Sequence, residues 1–325
     1  MHKLPIDILE SDILKLDAAL LDILLSDKTT GEYIIWATDD YLDFGEEYAQ
    51  NRQMLPVLIT GDKSRLIQPR ASKSKSSQSN RTRDKAEVFT PSWVCNEQNN
   101  LVDRAWFGRN VVFNHEFGTT WKATKWSVEF PKKLGKTWID YVRAVRLEVC
   151  CGEAPYLVSR YDTVTGKQIS LRQRIGILDR KLRVVSENTD NFDDWYYWVK
   201  EAYRSTYGYE YQGDNLLLAR ENLLLTFSDW VRHKAKRKPT PEELKEIAEI
   251  LAWNIWQMDG LKYVIPGSCH SIETDKNLFG ESEIIPCQGC KRDDYRQHNG
   301  IYCTIMDWEN NEQIRFADVI GGAKP

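Results

Sequence analysis

Seven cysteines occur in the 325 residues, and four of them fall in the last quarter of the chain beside two histidines. Cys287-Gln288-Gly289-Cys290 is a knuckle with two residues between its thiols, preceded by Cys269 and followed by Cys303. Two thiolates on one tight turn with two further soft donors form the set that a tetrahedral structural zinc takes. His270 is the alternative to Cys269, and His298 the alternative to Cys303. The loop they would close, residues 266–305, reads as a zinc-ribbon-like insertion.

A second group of residues has types suited to a nucleotide pocket. Ala144 to Val149 is a short apolar run that meets Cys150-Cys151-Gly152-Glu153-Ala154, and Pro155 then signals a helix start. Strand, small-residue loop and helix in that order build a ligand crevice at the carboxyl end of a parallel sheet, where Gly152 lets backbone approach closely. Thr206 to Tyr211 is predicted as the next strand, with Glu210 at its carboxyl end and an apolar helix from Asp214 to Phe227 behind it. Trp253 to Gly260 is predicted as a third strand ending at Asp259. Glu210 in that place can accept hydrogen bonds from both ribose hydroxyls, and Asp259 from an exocyclic amine of adenine. Cys150 and Cys151 read as small packing residues rather than catalytic thiols, since no histidine lies near them in sequence.

Other elements must hold these groups. Ile8, Leu9, Ile13, Leu16, Leu20, Ile23 and Leu24 predict a packing helix over residues 5–26, and Tyr33 to Thr38 and Leu55 to Thr60 predict short strands. Residues 1–69 thus read as a small amino-terminal α/β element. Residues 70–85, RASKSKSSQSNRTRDK, hold no apolar residue larger than alanine and read as a basic flexible linker. Lys73, Lys75, Arg81 and Arg83 could track a phosphate backbone there, the competing reading being a solvated connector. A basic run from Arg232 to Lys238 ends a helix, and Thr240-Pro241-Glu242-Glu243 opens the next. Trp195 to Trp198, at helical spacing, read as core.

Composition sets the class. At 42% hydrophobic and 28% charged, without a long uncharged apolar stretch, the chain reads as a soluble, cytoplasmic globular protein with no membrane partner. A net charge of −4 leaves nucleic-acid contact to local basic segments.

The ordered motifs resemble the gamma-class amino-methyltransferases, the DNA-modifying M subunits of bacterial restriction-modification systems, over residues 86–325. Glu87-Val88-Phe89-Thr90-Pro91 is similar to that family's leading Phe-x-Thr-Pro segment, and Leu147 to Leu157 to its Leu-Asp-Pro-Ala-Cys-Gly-Ser-Gly-x-Phe-Leu motif, with Ala154 in place of the second glycine. Gly208-Tyr209-Glu210, Leu218-Ala219-Arg220-Glu221-Asn222 and Asn254 to Leu261 follow in register. The resemblance implies a Rossmann-like open, doubly wound sheet of SAM-dependent methyltransferase type and adenine-N6 methylation of DNA in a restriction-modification or related phage-defence system. It implies S-adenosylmethionine held by Phe89, Thr90, Pro91, Glu148, Cys151, Gly152, Ala154, Glu210 and Asp259. The family's catalytic Asn-Pro-Pro-Tyr is degenerate here. Phe316 to Ile320 matches its strand, but Gly321, Gly322 and Pro325 stand where the amide acceptor and the stacking aromatic belong. The resemblance therefore implies either a second polypeptide completing the sheet and target recognition, or an inactive cofactor-pocket protein that binds nucleic acid or protein.

Overall fold

The structure is a computed structural model that describes residues 9–73, 90–131, 135–273 and 284–322. Lys75, Arg81, Arg83, Phe89 and Pro325 lie outside the described residues.

Instead of one amino-terminal helix there are two, α1 (Glu10–Leu16) and α2 (Ala18–Leu25). Asp17 breaks them: it is extended, at φ −163°, and its carboxylate accepts the Ala19 N–H at 2.9 Å, which caps the second helix. Tyr33 to Thr38 forms isolated bridges rather than a strand, pairing Ser26 with Tyr33 and Ile35 with Gln53. Leu55 to Thr60 is not a strand but contains α3 (Pro56–Ile59), because Pro56 presets a helical φ at the first position. These segments share one hydrophobic core with the rest of the chain, where Leu20, Leu24 and Trp36 join Leu216, Phe227 and Leu251.

Helix α4 (Ser92–Phe107) is followed by the hairpin of β1 (Asn114–Phe117) and β2 (Thr120–Ala123). Next comes α5 (Trp138–Arg143), opened by a Thr137/Asp140 capping box. The central element is a parallel sheet in the order β3-β4-β5, formed by β3 (Arg146–Glu148), β4 (Thr206–Glu210) and β5 (Ile255–Gln257). Parallel neighbours need long crossovers. Those after β3 and β4 are helical: α6 (Ile177–Asn188) with α7 (Phe192–Arg204), then α8 (Gly213–Ala235) with α9 (Pro241–Asn254).

Register aligns Glu148 with Gly208 and Glu210 with Gln257, so the strand ends lie side by side. Alternation then sorts the faces. Ile255 joins the large helical core, whereas Tyr209, Trp256 and Met258 pack with Ile265, Cys303, Ile305 and Phe316 from the carboxyl-terminal segment. That segment holds the short pair β6 (Ile272–Glu273) and β7 (Ile284–Ile285), α10 (Gln288–Arg292), the hairpin of β8 (Thr304–Asp307) and β9 (Glu312–Arg315), and α11 (Phe316–Ile320). The protein is a mixed α/β fold with small sheets, and its one parallel sheet has three strands among the described residues.

Three expected elements need correction. Pro155 does not open a helix: the chain makes turns past it and regains α-helix only at Ile177, since Cys150, Gly152 and Ala154 all take positive φ, at 50°, 53° and 62°. Trp253 and Asn254 belong to α9 rather than to the third strand. Phe316 to Ile320 forms α11, not a sheet strand, with Arg315 paired to Asp318 across its first turn at 2.5 Å.

Candidate metal centre and strand-end pocket

Donor atoms of Cys269, Cys287, Cys290 and His298 all lie within 4.8 Å of one another. The Nδ1 of His298 is 3.5 Å from the Cys269 sulfur, 3.5 Å from that of Cys287 and 3.6 Å from that of Cys290. A tetrahedral ion with Zn–S bonds of about 2.3 Å and a Zn–N bond of about 2.0 to 2.1 Å requires S···N separations of about 3.5 to 3.6 Å. The cluster therefore has the spacing and the donor types to bind a metal ion such as zinc.

Local backbone explains how the four meet. Helix α10 begins straight after Cys287, carrying Cys290 one turn on. Gly289 has to be a glycine, because a Cβ there would sit 2.6 Å from both the backbone nitrogen and Nδ1 of His298. At Gly300 a Cβ would come within 3.1 Å of the Cys269 sulfur. Burial pushes the Cys287 thiol up, but backbone N–H groups of Cys290 and Asn299, with the side chains of His298 and Cys290, outweigh it and bring the thiol down to about 6. The Asn299 N–H donates to the Cys287 sulfur at 3.4 Å.

Cys303 is not a member of this set. Its thiol is buried and donates to the Gln257 carbonyl at 3.3 Å, anchoring the carboxyl-terminal segment on β5, while His298 takes the fourth place. His270 also lies outside the cluster, its ring contacting the Ser268 carbonyl at 3.2 Å.

At the strand ends, Glu148 and Glu210 converge on one loop. Glu148 accepts the N–H groups of Tyr156 and Leu157 at 3.4 and 3.2 Å. Glu210 accepts the Gly152 N–H at 2.8 Å through one oxygen and the Gln212 N–H at 3.1 Å through the other. A carboxylate has roughly four acceptor positions, and the Tyr211 N–H also acts on this one. Cys151 is buried beneath the loop, with its sulfur 3.3 Å from where a Cβ of Gly208 would be. Ala154 occupies the left-handed region, a conformation costing about 1 to 2 kcal/mol outside glycine. Thr90 O accepts the Thr163 hydroxyl at 3.1 Å, and Pro91 occupies the N-cap position of α4. Asp259 stands past the end of β5, accepting the Leu261 N–H at 3.1 Å and pairing with Lys262 at 3.3 Å. Burial pushes the Cys150 thiol up, and the charges of Glu210 and Asp259 act on it in the same direction.

Burial also drives the Glu148 carboxyl well above the carboxylate range; its two backbone N–H bonds oppose this and the Glu210 charge reinforces it. A carboxyl raised on folding contributes stability that is complete below its unfolded value, about 4.3, and is lost as pH rises through the folded value. Glu148→Gln should therefore flatten the fall in stability towards alkaline pH, and urea midpoints at pH 5 and pH 9 check it. A variant whose midpoint falls as steeply as that of the parent protein would contradict the assignment.

Two sequence expectations change further. Lys73 is no solvated arm residue: it forms an ion pair with Asp214 at 3.3 Å, with side chains 10% and 2% exposed, while the Arg70 N–H donates to Glu153 at 2.6 Å. Gly321 and Gly322 follow helix α11 and do not end a sheet strand. A residue whose role the motif obscured is Arg220, fully buried and donating to the carbonyls of Ile255, Leu24, Ser26 and Ala252 at 2.7 to 3.1 Å.

Comparison of the chain with protein-family profiles, with curated proteins and with solved structures finds no match in any of the three.

Proposed function

We propose that this chain is a subunit of DNA adenine-N6 methyltransferase type that binds S-adenosylmethionine, serves a restriction-modification or related phage-defence system, and does not transfer methyl groups by itself. The observation that carries the reading is the convergence of Glu148 and Glu210, at the carboxyl ends of adjacent parallel strands, on the loop that holds Gly152. Ligands of open α/β sheets bind at that edge. Glu210 would accept the ribose hydroxyls, Asp259 the adenine amine, and the Gly152 turn would admit close backbone approach. When bound, the cofactor supplies an electrophilic methyl group.

Methyl transfer to an amine needs acceptors that hold the amine protons and a surface that stacks the flipped base. Gly321 and Gly322 offer neither as side chains, and α11 leaves them off the sheet. A second polypeptide would add at β3, which pairs only with β4 among the described residues and exposes Leu147, with Val145 and Val149 exposed at its two ends. Such an edge is a template for an added strand. With methyl-labelled cofactor and mixed duplex DNA, the isolated chain should retain label and transfer none above background. Robust DNA methylation would overturn the incomplete-site reading.

The Cys269, Cys287, Cys290 and His298 cluster holds one structural zinc in this reading, since soft thiolate and imidazole donors at tetrahedral spacing favour that ion. The seven cysteines are all free of disulfides, which supports a cytoplasmic setting, and no helix among the described residues is long and apolar enough to cross a membrane. A second reading, a cofactor-pocket fold retained as a binding scaffold, is favoured by one observation: both Glu210 oxygens already accept backbone N–H groups.

A further inference from the structure

We infer that the four-ligand centre is a clamp on the rim of the strand-end pocket: metal occupancy fixes the turn from Asp259 to Val264, and with it the position of the Asp259 carboxylate. This rests on the zinc reading above and adds a role to it.

The connection is short and continuous. The chain leaves β5, makes the turn, runs through Ile265 and Ser268 to the first ligand, and returns from the last ligand through Ile301 to Cys303. Outgoing and returning stretches are bonded to each other: Ile265 N–H donates to Ile301 O at 2.8 Å, Ile301 N–H to the Ser268 hydroxyl oxygen at 3.0 Å, and Cys303 N–H to Tyr263 O at 3.0 Å. Val264 is thereby bridged on one side to Tyr302 and on the other to Asp259, whose N–H donates to Val264 O at 2.9 Å. Cys269 directly follows Ser268, and His298 stands three residues before Ile301. His298 N–H also donates to the Tyr302 hydroxyl oxygen at 3.0 Å.

The base of the turn is packed, with Val264 and Ile265 buried and the Tyr263 ring against Phe316, but its outer part is not. Leu261, Ile272, Ile284 and Ile301 are all exposed, so the outer part of the segment has scant apolar burial. Tyr263 sits at φ +59°, which a non-glycine residue adopts only under support from its surroundings. A metal that joins the outgoing to the returning stretch adds to the support that Phe316 and Tyr295 give the Tyr263 ring, because binding free energy of a structural ion is folding free energy for the loop it closes. Lys262, paired to Asp259, also lies within electrostatic reach of Cys269 and Cys290.

Hydrogen exchange followed by mass spectrometry tests the clamp, on the full chain with zinc, after chelator treatment, and after zinc is restored. Protection of amides in residues 259–265 should fall at least tenfold on stripping and return with zinc, while β4 and α8 keep theirs. His298→Cys, which preserves a four-donor soft set, should retain both zinc and protection; His298→Ala should lose both. One zinc per chain with equal protection of residues 259–265 in both states would overturn the clamp and leave the zinc reading standing. No bound zinc would overturn the zinc reading itself. Loss of protection in α8 together with the turn would overturn the clamp, since the metal would then hold the whole fold and not the rim.

Discussion

Arg220→Met should destabilise the protein by about 3 to 5 kcal/mol, read as a shift in the urea midpoint without a change of slope. The guanidinium is fully buried in the middle of α8 and donates to four carbonyls, those of Leu24 and Ser26 at the end of α2 and those of Ala252 and Ile255 at the end of α9. Each is a helix-terminal or strand-entry carbonyl that methionine would leave without a donor, at a cost of about 1 to 3 kcal/mol for a buried polar group and less than additively for a set. Arg220→Lys should fall between, because one ammonium cannot reproduce the planar fork across four acceptors. A loss below about 1 kcal/mol for the methionine variant would mean that the amino-terminal helices are held to the sheet by apolar packing alone.

The second large effect concerns the metal. Cys287→Ser should reduce bound zinc from about one per chain to near zero by elemental analysis, since a hydroxyl is a poor replacement for a thiolate whose proton is already weakly held. Cys287 is the best buried of the three thiols and receives the Asn299 N–H, so its loss removes the ligand most firmly fixed in place. The helical core should keep its melting transition, because α8, α9 and the sheet carry their own buried apolar surface. Unchanged zinc in this variant would refute the ligand set; a mutant that fails to fold at all would refute the confinement of the metal's effect to the carboxyl-terminal segment.

Much of the site was legible because its signals are local. The strand ends at Glu148 and Glu210, the helix opening at Thr240 and the buried Trp195 follow from apolar runs, a capping box and helical spacing, and the structure keeps each of them. What the sequence hid depends on distant partners. Asn254 reads as a strand residue until its amide is seen donating to the carbonyls of Tyr203, Arg204 and Thr206, which makes it the tie between α9 and the start of β4. Spacing favours Cys303 as the fourth ligand with His298 as its alternative, and the structure reverses that choice. Only the approach allowed by Gly289, and the Gln257 carbonyl that takes the Cys303 thiol, separate them. Arg220 carried a signal that motif reading masked: an arginine between the apolar stretches Leu216 to Ala219 and Leu223 to Leu225 of one helix is costly unless something buried needs its donors. Phe316 to Ile320 has strand-like composition, yet it follows a finished hairpin whose last residue pairs with Asp318, and that local ion pair suits a helical turn.

Calorimetric titration with S-adenosylmethionine, on the parent chain and on Glu210→Gln and Glu210→Ala, tests the proposed function most directly. Micromolar binding is expected for the parent chain, weakened at least about tenfold in both variants through loss of a charge-assisted bond worth roughly 1.5 to 3 kcal/mol. Glu210→Gln keeps an acceptor for Gly152 or Gln212, so weakened binding with an unchanged melting temperature separates a ligand contact from a loop support. No heat of binding in the parent chain, or equal affinity in all three, would contradict the cofactor pocket.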